Sequence, residues 1–142
     1  MERSHSIMSL LYQLANVETQ LLNQALSQQN LTNEQARALN YIRQHPATNQ
    51  RAVGDYLGRQ AASTSNLMKS LLTRELVTRE PAPNNDREKQ LRLTPAGEQC
   101  AQQIEAAFQQ VEQQIHQAVP VEQVTRLEKT LTTLLQQLTK ED

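Results

Sequence analysis

The chain has 142 residues with 14 Lys+Arg against 15 Asp+Glu, 37% hydrophobic and 3% aromatic residues, one Cys and three Gly. That length fits one ordinary domain, a lone cysteine excludes disulfide scaffolds and zinc-finger modules, and no apolar run approaches the roughly 18 residues needed to span a bilayer. A core without Trp and with one Phe and three Tyr must be built from Leu, Ile, Val, Ala and Met, which suits packed helices, and three glycines are too few for a many-turned all-β fold. Met1 to His5 leads into a helical pattern rather than a signal-peptide apolar block, so a soluble, cytoplasmic protein without a membrane partner is expected. The net charge of −1 hides an asymmetry: residues 1–50 sum to 0, residues 51–94 to +3 and residues 95–142 to −4. A basic middle third in a near-neutral chain is an electrostatic footprint for phosphate.

In chain order, Ile7, Leu10, Leu11, Leu14, Val17, Leu21 and Leu22 recur at steps of three and four, which predicts a first helix over about residues 6–28. Thr32 as N-cap, Gln35 closing a capping box and Leu31 placed as a staple start a second helix, which ends before Pro46. A short helix follows from Asn49 to Leu57, with Gly58 at the position where a left-handed residue ends a helix. The next helix runs from about Gln60 to Arg74. Its buried stripe is Leu67 and Leu71, with Thr64 open to either a buried or a DNA-facing reading, and Ala62, Ser63, Asn66, Lys69 and Thr73 point outward, a small, polar and basic face without an acid. Leu76–Glu80 and Gln90–Thr94 read as two strands joined by Pro81–Lys89, a charged loop too long for a tight turn. Thr94-Pro95 opens a long helix as N-cap and N1; Pro120 breaks it; a last helix carries Val121, Val124, Leu127, Leu131, Leu134, Leu135 and Leu138 on one stripe. The 21 glutamines fall on polar faces of these helices and read as ordinary helix formers rather than low complexity.

The central order, helix, short helix, turn, helix, two strands, is that of a winged helix-turn-helix. The helix after Gly58 is the candidate recognition helix for the major groove of double-stranded DNA. Gln60, Ser63, Thr64 and Asn66 supply hydrogen-bonding groups, Ala62 suits a thymine methyl, and Arg51 and Lys69 suit phosphates. The fold class is therefore mainly α with a small two-stranded β-ribbon, as a single domain over 1–142. A DNA-binding lobe at 31–94 is flanked by dimerisation helices at 1–30 and 95–142. Ile7, Leu11 and Leu14 with Val124, Leu131, Leu134 and Leu138 form more apolar stripe than one small lobe can cover, so both chain ends are expected to build a two-fold homodimer, and the operator to be an inverted repeat.

Leu31-Thr32-Asn33-Glu34-Gln35, Leu57-Gly58, Leu71 through Arg79, Asn85-Asp86-Arg87 and Leu93-Thr94-Pro95-Ala96-Gly97 resemble, in order and spacing, the MarR family (multiple antibiotic resistance regulators). The resemblance covers the whole chain, flanking helices included. It implies a homodimeric bacterial transcription factor that releases DNA in response to a small molecule or an oxidant. It also implies a minor-groove contact for Arg87, with Lys89 beside it on the wing. In relatives a crevice between the N-terminal helix and the DNA-binding lobe takes small aromatic or lipophilic effectors, and Met8 and Tyr12 are the residues expected to line it here. Two positions depart from the family pattern. The usual wing Asp-x-Arg reads Asn85-Asp86-Arg87, so the brace on Arg87 is Asn85, or Asp86 after a slip of one residue. Glu75 stands where relatives carry glycine, either in left-handed geometry at a steric penalty or in ordinary helical geometry.

Cys100 lies on the apolar stripe of its helix and reads as a buried structural thiol rather than a redox sensor. His5 and His116 meeting across a dimer interface would be the one route to a metal site, and solvated histidines are the simpler reading, so neither metal nor cofactor is expected. No Gly-rich phosphate loop, nucleophile elbow or paired acids point to catalysis. The competing reading is a helical protein–protein interaction module with a winged helix that does not bind DNA.

Overall fold

The computed structural model describes residues 6–140, the side chain of Asp86 excepted. Among these residues the order is α1 (Ile7–Ala25), α2 (Asn33–Gln44), α3 (Gln50–Leu57), α4 (Ala61–Thr73), β1 (Val77–Ala82), β2 (Asn85–Leu93), α5 (Pro95–Ala118) and α6 (Val121–Leu138). This is a mainly α winged helix-turn-helix with one two-stranded antiparallel sheet.

The helix starts follow from side-chain capping. The hydroxyl of Ser6 accepts from Ser9 N–H at 3.1 Å at the head of α1. At α2, Thr32 Oγ1 accepts from Gln35 N–H at 3.1 Å while Gln35 Oε1 accepts from Thr32 N–H at 3.0 Å, so both halves of the capping box are made. Asn49 Oδ1 accepts from Ala52 N–H at 2.9 Å, which puts Asn49 outside α3 as its N-cap. Thr94 Oγ1 accepts from Gly97 N–H at 3.0 Å and its hydroxyl donates to the Glu75 carbonyl at 2.7 Å, tying the start of α5 to the exit of α4. Gly58 ends α3 with φ 67°, ψ 31°, a left-handed conformation that costs glycine little.

The exit of α4 resolves the ambiguity at Glu75. Arg74 is the C-cap and Glu75 has φ 58°. Glu75 N–H bonds the Leu72 carbonyl at 3.0 Å and Leu76 N–H bonds the Leu71 carbonyl at 3.1 Å, with Leu71 and Leu76 both buried. That is a Schellman motif in which glutamate takes the glycine position.

The wing is tighter than its sequence implies. β1 and β2 run on through most of the expected loop and turn at Pro83-Asn84, with Val77 opposite Leu93 and successive pairs as far as Pro81 opposite Lys89; Ala82 then faces Asn85. Residues 86–88 thus lie opposite a single step of β1. Pro81 has no N–H to give to a ladder, so a proline in an edge strand coincides with an irregularity instead of ending the strand.

The core gathers Leu22 and Leu26 from the end of α1, Leu39 and Ile42 from α2, Val53, Leu67, Met68 and Leu71 from α3 and α4, Leu91 from the wing and Ile104 from α5. Met68, absent from the expected stripe, is 0% exposed beside Leu67 and Leu71, so the buried arc of α4 is one position wider than the period suggested. None of the residues of α6 is buried. No helix among the described residues is long and apolar enough to cross a membrane.

Candidate nucleic-acid interface

α4 presents Ala62, Asn66, Lys69 and Thr73 to solvent. Their spacing of four, three and four places them on one stripe, and α4 has no acidic residue. Gln60, its N-cap, is exposed and makes no side-chain capping bond, which leaves its amide for another partner.

Two residues expected on this face are otherwise engaged. Thr64 is 2% exposed: its hydroxyl donates to the Gln60 carbonyl at 3.0 Å, and it packs where a Cβ on Gly54 would come within 2.7 Å of Thr64 Oγ1. The close α3–α4 crossing buries it, so its assignment to DNA contact is corrected to a packing role. Ser63 is half-buried, and Arg59 Nε donates to its hydroxyl at 2.8 Å. Arg59 also ion-pairs with Glu34 of α2, so it fastens the helix-turn-helix turn to the lobe. Sequence reading passed over Arg59; the cue was a long cation directly after the left-handed Gly58.

The other cations of the basic segment divide in the same way. Arg79 donates to Gln50 Oε1 at 2.7 Å, Arg92 pairs with Glu80 at 3.2 Å, and Arg74 donates to the Asn30 carbonyl at 3.0 Å. Arg51, Lys69, Arg87 and Lys89 are exposed and make no ion pair or side-chain hydrogen bond among the described residues. At the wing, Asn85 Oδ1 accepts from the Arg87 backbone N–H at 3.0 Å, while the side chain of Asp86 lies outside the described residues.

A cleft of about 520 Å³ opens between α1 and the central lobe, lined by Glu18, Thr19, Asn33, Glu34, Arg37, Tyr56 and Leu57. Of its lining residues, Arg37 is ion-paired with Glu18 and lies 5.7 Å over the Phe108 ring, and Tyr56 stacks on Tyr41 at 4.7 Å. Met8 and Tyr12 do not line it. They are 80% and 71% exposed, because only the second half of α1 packs on the body of the chain and the first half projects beyond it. A second, apolar groove of about 580 Å³ runs between α1 and α6 and brings Ile7 and Leu11 together with Leu131 and Leu134; Leu14, Val124 and Leu138 lie outside it.

Cys100 is half-buried, and burial pushes its thiol above the ordinary cysteine value, with Arg74 acting the other way. No cluster of His, Cys, Asp and Glu suited to a metal occurs among the described residues. His116 bonds Glu112 of its own helix at 3.0 Å, and His5 lies outside the described residues.

The MarR family model matches residues 29–88. S. aureus MepR in its DNA-binding conformation is 25% identical, with 94% of this chain and 99% of MepR covered at a TM-score of 0.87. A MarR mutant from E. coli complexed with operator DNA shares the fold at 22% identity, 95% and 99% coverage and a TM-score of 0.82. PcaV from Streptomyces coelicolor, solved with its natural ligand, shares it at 19% identity, 95% coverage of both chains and a TM-score of 0.81. No curated protein matches the sequence.

Proposed function

We propose that this chain is a MarR-family winged helix-turn-helix protein, by sequence in its central lobe and by fold along its length, and that it acts as a cytoplasmic, homodimeric repressor released from an inverted-repeat operator by a small molecule. The family's regulators bind DNA and are not enzymes. The observation that carries the proposal is the division of the basic segment. Arg59, Arg74, Arg79 and Arg92 are engaged within the chain, and Arg51, Lys69, Arg87 and Lys89 remain for phosphates beside an acid-free α4.

In this reading Asn66 and Gln60 address base edges with Ala62 against a thymine methyl, Lys69 and Arg51 hold phosphates, and Arg87 with Lys89 enters the adjoining minor groove. Ser63 contributes only what Arg59 leaves it. The exposed stripes of α1 and α6 support pairing with a second copy through the apolar groove, which would set two α4 helices one duplex turn apart. The cleft holding Arg37 and Tyr56 suits a small aromatic or lipophilic effector better than the surface around Met8 and Tyr12.

Titration of labelled duplex across salt concentrations tests the reading. Binding whose logarithmic affinity falls steeply with log salt, with inverted repeats enriched from a random pool, is expected. Retention of other proteins without any duplex binding would favour the interaction-module reading, to which the exposed apolar stripes are equally open.

A further inference from the structure

Three consecutive residues at the head of α3 each hold a different residue of the wing. The Thr48 carbonyl accepts from Leu91 N–H at 2.7 Å, Asn49 Nδ2 donates to Glu88 Oε1 at 3.2 Å, and Gln50 Oε1 accepts from Arg79 at 2.7 Å. The middle bond falls where the sheet offers least support, because residues 86–88 face a single step of β1 between the Pro81–Lys89 and Ala82–Asn85 pairs. Arg87 sits in this segment, supported on one side by Asn85 Oδ1 and followed on the other by Glu88. Asn49 uses both ends of its amide, Oδ1 to cap α3 and Nδ2 to reach the wing. A carboxylate next to a DNA-contacting arginine would by itself repel phosphate, so Glu88 needs another reason to be there.

We propose that Asn49 and Glu88 form a positioning pair that sets the approach of Arg87 to the minor groove relative to α3 and α4. The proposal rests on the DNA-binding reading above. Neither side chain needs to touch DNA; the pair acts through the aim of Arg87.

The test measures operator affinity and hydroxyl-radical footprints of the full-length protein with E88A, E88Q, N49D, N49D/E88Q, R87A and R87A/E88A. E88A is expected to weaken binding about tenfold, as R87A does, and to lose protection of the flanking minor groove while the major-groove footprint remains. E88Q keeps an acceptor oxygen for Asn49 and sheds the carboxylate's repulsion of phosphate, so it should bind at least as tightly as wild type. N49D keeps the helix cap but sets carboxylate against carboxylate and should weaken binding, and N49D/E88Q, where the glutamine amide can donate to Asp, should restore it. In the R87A background E88A should add less than about twofold, the non-additivity of residues that act as one unit. A full additive loss in R87A/E88A, or E88A binding at least as tightly as wild type, would overturn the pair while leaving the DNA reading intact. Absence of salt-dependent duplex binding by wild type would overturn both.

Discussion

Glu75 is a residue whose backbone, more than its side chain, decides its energetics. At φ 58° an L-residue crowds its Cβ against the chain at a cost of roughly 1–2 kcal/mol, and the added unfolded-state freedom of glycine takes back about 0.5–1 kcal/mol. Glu75→Gly is therefore expected to be neutral or to stabilise the protein by up to about 1.5 kcal/mol, read as an unchanged or higher urea midpoint at unchanged slope; a lower midpoint would mean that the glutamate side chain contributes more than its backbone costs. On α4, Asn66→Ala should relax base preference, whereas Lys69→Ala should weaken all duplexes alike and flatten the salt slope by about one unit. The reverse pattern would exchange their roles. Arg87→Ala should lower operator affinity while leaving stability within about 0.5 kcal/mol, since the side chain is exposed. Burial raises the Cys100 pKa, which keeps the thiol protonated to higher pH than in the unfolded chain, so its alkylation at pH 8 should be slower in native than in denaturant-unfolded protein. Equal rates would show a thiol open enough to serve as a sensor.

Between elements, the close α3–α4 crossing constrains the interface. A methyl at position 54 would lie 2.7 Å from Thr64 Oγ1, and that hydroxyl is held by its bond to the Gln60 carbonyl. Threonine is stiff at χ1, so the helices must separate. Gly54→Ala should destabilise by about 1–3 kcal/mol and weaken DNA binding, and Gly54→Ala/Thr64→Ala should recover much of both; the double variant tests whether the clash alone is responsible. Capping made these helices legible in the sequence. Thr32, Gln35, Gly58 and Thr94 act within four residues of the backbone groups they satisfy, so their spacing reports the boundary directly, whereas Asn49, expected inside its helix, proved to be the cap. The wing was not legible in the same way, because proline and a charged run read as loop, and pairing through such a segment depends on a partner strand and on bonds from α3 that lie 39 and 29 residues away in sequence.

For the whole molecule, α6 buries none of its residues, and Val121, Leu127, Leu131, Leu135 and Leu138 remain exposed along it, as do Ile7, Leu10, Leu11, Leu14 and Val17 on α1. The proposed homodimer would cover that surface. Light scattering at micromolar concentration should report twice the 16.1 kDa chain mass, and enriched operators should carry half-site centres about 10 base pairs apart. A monomer would overturn the assembly, and an asymmetric site its two-fold geometry.

What the amino-acid order alone determined is what short-range chemistry encodes: helix periods, caps, the left-handed Gly58, the acid-free α4 and the excess of basic residues in the middle third. Residue type and local spacing suffice for these. Only the tertiary structure decided that Thr64 is buried, that Arg59 spans from α2 to α4, that Met8 and Tyr12 stand clear of the cleft, and which cations of the basic segment are already engaged. Each of those depends on how closely two distant elements approach, and packing distance, set by small side chains such as Gly54 and by ion pairs between helices, is not written in the period of any one of them.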